Sequence, residues 1–240
     1  MGNSALLKNC AGSFNIGIGS LALCANSSGC YNTAMGYSAS RLHTTGCSNA
    51  SLGYQTLYSN TVGDENTAIG MHSFYNSVSG SKNIAVGFAA AKTLANGSTA
   101  STAPDNSTYV GSCTRSYSVS STNETVLGYC ACGCGDNTMS FGNANVTDNY
   151  FNGNIIACAT DPRIRVEATA GNHPGFEWLE AGSRKWITYN DPANDHMTWK
   201  NASDTEVMEL DQDGYLYVNS KIVHLGDTDT FIDFTDDNIN

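Results

Sequence analysis

Over the first 150 residues, apolar and polar positions follow neither the 3.6-residue period of a helix nor the alternation of a long strand; they recur every seventeen residues. Asn15, Asn32, Asn49, Asn66 and Asn83 keep that interval. So do Gly19, Gly36, Gly53, Gly70 and Gly87, and Gly12, Gly29, Gly46, Gly63 and Gly80. The unit reads Gly-x-x-Asn-x-small-apolar-Gly, with Ile18, Met35, Leu52, Ile69 and Val86 at the apolar place and a second short run, such as Leu21-Ala22-Leu23, after it. A helical hairpin repeat needs about 33 residues. Seventeen suits one turn of a β-solenoid or β-roll, two short strands joined by tight turns, each turn adding about 4.8 Å along the axis. Gly and Asn are expected at left-handed corners, and the apolar residue of each unit in a thin core. One such side chain per turn offsets little of the entropy of ordering seventeen residues. Sister copies are therefore expected to bury the remainder, as a homotrimer around a shared axis.

Beyond Gly87 the pattern loosens. A Ser/Thr/Ala-rich insertion spans 95–105, and the later matches, Asn106 to Gly111, Asn123 to Gly128 and Asn137 to Gly142, carry one extra residue between Asn and Gly. Gly2 lies seventeen residues before Gly19, so the chain is expected to be cut from a longer array. Later segments alternate with period two, at 163–168, 185–189, 196–200 and 206–210. Asp213-Gly214 between 207–210 and 215–218 predicts a hairpin. The expected organisation is all-β: a repetitive β-solenoid or β-roll shaft over 1–153, then a small acidic β-rich domain of strands and hairpins over 154–240.

Segments such as Asn66-Thr67-Ala68-Ile69-Gly70 and the stretch from Leu52 to Gly63 resemble the Gly-Asn-x-Ala-x-Gly repeats of bacteriophage tail-fibre proteins. They are also similar to the head repeats of trimeric autotransporter adhesins. The likeness covers roughly residues 2–145; the cysteine content, the insertion and the shifted last units depart from it. Residues 226–234 resemble a motif frequent in structural proteins of marine and cyanobacterial phages. The resemblance implies a structural and adhesive fibre segment of a virion, in its tail or capsid fibre, that presents a host-recognition surface. Its implied partners are sister copies in a homotrimer, other virion proteins and a host cell-surface receptor, glycan or surface protein. Three alternatives stay open: a bacterial trimeric adhesin passenger at the cell surface, a structural filament subunit, and a polysaccharide-degrading tailspike.

Charge sharpens the division of the chain. Residues 1–150 hold 5 basic and 6 acidic side chains; residues 151–240 hold 6 basic and 16 acidic ones, with all three Trp. A formal charge of −11 argues against a nucleic-acid partner, since phosphate binding needs clustered Lys and Arg. No run of 18 apolar residues predicts a membrane-inserted helix, and no basic segment followed by an apolar one predicts a signal peptide.

Candidate chemistry is sparse. Cys30 and Cys47 share a column; small, reduced, buried residues are favoured there over a disulfide. Cys130, Cys132 and Cys134 alternate and would face one way in a strand, where apolar filling is favoured over a metal. Asp211 to Gly214 echoes a calcium loop but lacks its later ligand, so a turn is expected. Asp227, Asp229, Asp233, Asp236 and Asp237 are expected on solvated strand faces. Glycoside hydrolysis needs two carboxyls about 5–9.5 Å apart, and the six scattered acids of the repeat region suggest none. No catalytic residue, metal or cofactor is expected. Tyr37, Tyr54, Met71 and Phe88 form one column after the repeat Gly, where an interchain packing seam is favoured over a sugar-stacking row. Trp178, Trp186 and Trp199 are expected in the core of the second domain.

Overall fold

The computed structural model describes residues 2–152, 154–156, 164, 166–168, 170, 172, 174–181, 183–191, 193 and 195–219, with the backbone alone of 221–223 and 231–233. The chain forms two compact units, Met1–Tyr150 and Phe151–Asn240. No helix occurs among the described residues.

In the first unit each repeat makes one rung with a single three-residue strand: β1 (Ile16–Ile18), β2 (Thr33–Met35), β3 (Ala50–Leu52), β4 (Thr67–Ile69), β5 (Ile84–Val86), β6 (Thr108–Val110), β7 (Thr125–Leu127) and β8 (Met139–Phe141). They stack parallel, in register and in chain order as one eight-stranded sheet, a β-solenoid. Seventeen residues separate most neighbouring strands; 24 separate β5 from β6, where the insertion lies, and 14 separate β7 from β8.

The return side of each rung corrects the expectation of a second strand. Leu21 and Leu23 stand at φ 62° and 49°, and Gln55 and Leu57 at 51° and 49°, in the left-handed region that no strand uses. These turns still bond rung to rung. Leu23 N donates to the Ala39 carbonyl at 3.0 Å and Leu57 N to that of Ser73 at 3.0 Å. The repeat Asn was expected in αL, and it is not: the left-handed place is the residue before it, filled by Tyr31 (φ 59°), Glu65 (φ 57°) and Lys82 (φ 59°). A non-Gly residue there costs about 1–2 kcal/mol and persists because the stacked rungs leave no alternative.

The Asn side chains form a buried ladder. Asn66 N donates to Asn49 Oδ1 at 2.9 Å, Asn66 Nδ2 donates to the same oxygen at 3.0 Å and to the Gly80 carbonyl at 2.8 Å, and Asn83 N donates to Asn66 Oδ1 at 3.1 Å. The pattern repeats from Asn32 through Asn83. Its continuation corrects the register of the later units. Ser107 N donates to Asn83 Oδ1 at 2.9 Å and Glu124 N to Ser107 Oγ at 3.1 Å, so Ser107 and Glu124 carry the ladder onward. Asn106, Asn123 and Asn137 fall one column earlier, at φ 52°, 53° and 58°; hence the extra residue before Gly. The accompanying Gly column is a close approach of backbones: a Cβ on Gly46 would lie 2.3 Å from the Gly63 carbonyl oxygen.

The core also differs from the expected one. The middle residue of each strand points inward, and in the first five strands it is small: Ala34, Ala68 and Ala85 are buried. Ile18 and Leu52, assigned to the core from sequence, are each 49% exposed. Large buried side chains come from the return side and from two later strands, with volumes that compensate. Phe74 packs edge-on to Tyr109 (84°, centroids 5.7 Å apart) beside the small Ala85, Ala90 and Ala91. Where Ser40 replaces Leu, Ser51 replaces Ala, and their hydroxyls meet at 2.9 Å.

The second unit is an antiparallel sheet of β9 (Gly175–Glu180), β10 (Ser183–Asp191), β11 (His196–Asn201), β12 (Glu206–Leu210) and β13 (Leu216–Val218), in the order β13-β12-β11-β10-β9. A further pair, β14 (Lys221–Val223) and β15 (Phe231–Asp233), is antiparallel. The hairpin expected at Asp213-Gly214 is present with a longer loop: Leu210 faces Leu216, and Asp211 Oδ1 accepts from Tyr215 N at 2.8 Å. Of the alternating segment 163–168, residues 164 and 166–168 are described and form no strand, which corrects the expectation of one there; 163 and 165 lie outside the described residues.

Candidate functional site

In the solenoid, pleating turns the first and third residue of each strand outward. The third-residue column is Ile18, Met35, Leu52, Ile69, Val86 and onward to Phe141, most of it exposed. Beside it, one residue after the tight Gly turn, stand Tyr37, Tyr54, Met71 and Phe88, each about half exposed. Tyr37 and Tyr54 stack at 5.4 Å and 13°. From the strand through this turn no Asp, Glu, Lys or Arg occurs in any of the eight rungs. The result is a charge-free apolar stripe on the order of 40 Å long, from eight rungs of about 4.8 Å. The repeat residues Asn15, Asn32, Asn49, Asn66 and Asn83 lie inside this stripe as its scaffold. Gly19, Gly36, Gly53, Gly70 and Gly87 turn the chain at its edge with φ between 118° and 141°.

The five-stranded sheet is likewise two-faced. Cross-strand pairing puts Trp186 opposite Trp178 and Thr188 opposite Phe176 and Trp199. Met197 lies opposite Leu210, Met208 opposite Trp199 and Val218, and Leu216 opposite Leu210 on the same side. The other face carries ion pairs, Arg184 with Glu177 and with Asp204 and Lys200 with Glu206, and a hydrogen bond between His196 Nδ1 and Glu209 Oε2 at 3.2 Å. The expected tryptophan core is corrected, since Trp178 is 52% and Trp186 49% exposed. Ile164 and Val166 line a depression of about 360 Å³ with Phe176, Met197 and Trp199, while Trp178 and Trp186 stay exposed on the sheet surface.

Three groups of residues escaped the sequence reading, although two of them keep the seventeen-residue interval. The first is the column Arg41, Tyr58, Tyr75, Lys92 on the return side. Tyr58 and Tyr75 stack at 5.1 Å and 9°, Arg41 Cζ lies 5.8 Å from the Tyr58 centroid and Lys92 Nζ 5.1 Å from that of Tyr75. The second is a buried polar column, Asn9, Asn26, His43, Asn60. Asn26 Nδ2 donates to Asn9 Oδ1 at 2.7 Å, and His43 Nε2, facing the Gly46 carbonyl at 2.6 Å, must carry the proton. Among the described residues, His43 Nδ1 and Asn26 Oδ1 have no hydrogen-bond partner. Burial pushes the His43 pKa down, against weaker upward effects from the Gly46 carbonyl and Asp64. The third is Glu124, wholly buried. Its Oε2 accepts from Tyr109 Oη at 2.9 Å and Tyr117 N at 3.2 Å, and its Oε1 from Gly135 N at 3.2 Å. Burial, with this carboxylate beside it, pushes the Tyr109 phenol up.

The eight described cysteines are free thiols. Cys30 and Cys47 are only half-buried, and each sulfur accepts from a backbone N–H one rung away, Ser13 N at 3.3 Å and Cys30 N at 3.2 Å; Asp64 continues that column at Cys47 N, 2.6 Å. Cys130 stands in a turn, Cys132 in an isolated parallel bridge to Arg115 and Cys134 in irregular backbone, so the three share no strand; they line a depression of about 650 Å³ with Met139 and Phe141. Among the described residues no three His, Cys, Asp or Glu side chains are placed to hold a metal. Asp227, Asp229, Asp236 and Asp237 lie outside the described residues. No protein-family model, curated protein sequence or solved structure matches the chain.

Proposed function

We propose that this chain is a structural and adhesive fibre segment of a virion, a tail-fibre shaft that assembles as a homotrimer and presents a host-recognition surface. The observation that carries the reading is the charge-free apolar stripe along all eight rungs. Patches of several hundred Å² are at the upper limit of what single chains leave in water. A second copy suits this one best: identical columns in every copy meet rung against rung around an axis parallel to the stack, and no charge on the stripe selects another partner. The apolar face of the second unit, with Trp178 and Trp186, makes the same demand independently. A solenoid gains length by adding rungs, which fits a spacer holding a receptor-binding surface away from a particle.

Light scattering on the purified chain tests this. The expected mass is three times 25.4 kDa. Leu52→Glu with Ile69→Glu, which places carboxylates on the stripe without touching the core, should leave a folded single chain. A folded wild-type chain of 25.4 kDa would overturn the trimer. Open-ended polymers in negative stain would instead favour the filament subunit, and release of oligosaccharides from host polysaccharide the tailspike.

A further inference from the structure

The column Arg41–Tyr58–Tyr75–Lys92 lies on the return side of the rungs and borders the apolar stripe through His72, whose ring lies between those of Tyr75 and Tyr54. Its two cations cap a pair of stacked rings, so both faces of Tyr58 and Tyr75 are covered and only ring edges and hydroxyls are presented. Arg41 Nη1 donates to Tyr58 Oη at 3.0 Å, which leaves the Tyr58 proton free to donate outward. His72 joins this column to the neighbouring one: its ring meets Tyr75 edge-on at 5.2 Å and Tyr54 at 5.6 Å, and its Nε2 donates to Gln55 Oε1 at 3.1 Å. Among the described residues neither Arg41 nor Lys92 has a carboxylate partner, although the chain as a whole carries −11. Three rungs separate the two cations, about 14 Å at the strand spacing.

Unpaired cations at both ends of a row of hydroxyl-bearing ring edges match a ligand with spaced anionic groups and many hydroxyls. We propose that this ridge binds an acidic oligosaccharide, its carboxylate or sulfate groups on Arg41 and Lys92 and its hydroxyls on Tyr58, Tyr75 and the His72–Gln55 pair. A nucleic acid fits less well, because bases bind by stacking on open ring faces and these are occupied. The inference rests on the adhesive reading and gives that surface a ligand class. Burial and the charge of Lys92 both hold the His72 pKa below its ordinary value, so an anion seated at Lys92 should raise it.

The test is calorimetric titration of the intact chain with a sulfated hexasaccharide, a galacturonate hexamer, maltohexaose and an oligothymidylate, with the His72 titration followed by NMR. Binding of one or both acidic sugars is expected, without binding of maltohexaose and with an upward shift of the His72 pKa. Whichever acidic sugar binds identifies the anionic group. Arg41→Gln and Lys92→Gln should each weaken binding about tenfold or more, Lys92→Arg should restore it, and Lys82→Gln, off the ridge, should leave it unchanged. Lys92→Gln should also raise the His72 pKa without ligand, a sign that its ring environment is intact. Failure of both acidic sugars to bind, equal loss in Lys82→Gln, an unmoved His72, or tighter binding of the oligothymidylate would overturn the proposal. Oligomeric mass in the same samples separates this outcome from failure of the fibre reading.

Discussion

The Asn66 side chain makes four hydrogen bonds inside a stack that has few large apolar side chains, so the polar ladder carries stability that a hydrophobic core usually supplies. Asn66→Ala should strand the Gly80 carbonyl and the Asn83 N–H, and cost about 2–4 kcal/mol in chemical denaturation at one or more kcal/mol per orphaned buried group. His43 occupies an asparagine column and should respond to acid. Its folded pKa lies below its unfolded one, near 6.5. Above that unfolded value both states are neutral and the site is silent. As pH falls below it the unfolded chain takes up the proton first, and stability should fall by at most about 1.4 kcal/mol per pH unit. His43→Asn, which restores the residue of Asn26 and Asn60, should remove this slope between pH 7 and 5, as read from melting temperatures. The recurring Asn was visible in the sequence; its burial was not, because spacing reports that a position repeats without saying which way it points.

At the scale of the rung, seventeen residues is a complete structural unit. Deleting residues 53–69 should bring Leu52 and Gly70 into the existing join and keep every column in register. The shortened chain should retain its circular dichroism spectrum and lose a moderate part of its stability, as expected for nearest-neighbour stacking. Deleting half that length should abolish the fold. The repeat interval made the solenoid legible from Gly19 to Gly87. Hydrophobicity alone points Ile18 and Leu52 inward, yet they lie outside, because large return-side residues such as Leu23 and Phe74 leave room only for small strand residues such as Ala34 and Ala68. The later rungs were misaligned by one column because Asn106 and Asn123 copy the identity of the ladder residue in the place of its neighbour. The Arg41–Tyr58–Tyr75–Lys92 column was in the sequence at the same interval, but four different side chains hide a shared position that Asn and Gly display.

For the whole molecule, the division near residue 150 follows from composition. The strand order of the second sheet was partly legible: the 185–189, 196–200 and 206–210 alternations lie in β10, β11 and β12. Its Trp side chains were misplaced because alternation defines two faces without naming what covers either. In the solenoid the bonds between rungs run along the stack while the strands lie across it. Tension between the two ends would thus pull these bonds open lengthwise, a few at a time, in place of shearing them all together. Held in a force spectrometer, one chain should lengthen in discrete steps, most of them about 55 Å for seventeen freed residues at roughly 3.4 Å each. The 24-residue rung should announce itself as a single longer step of about 80 Å.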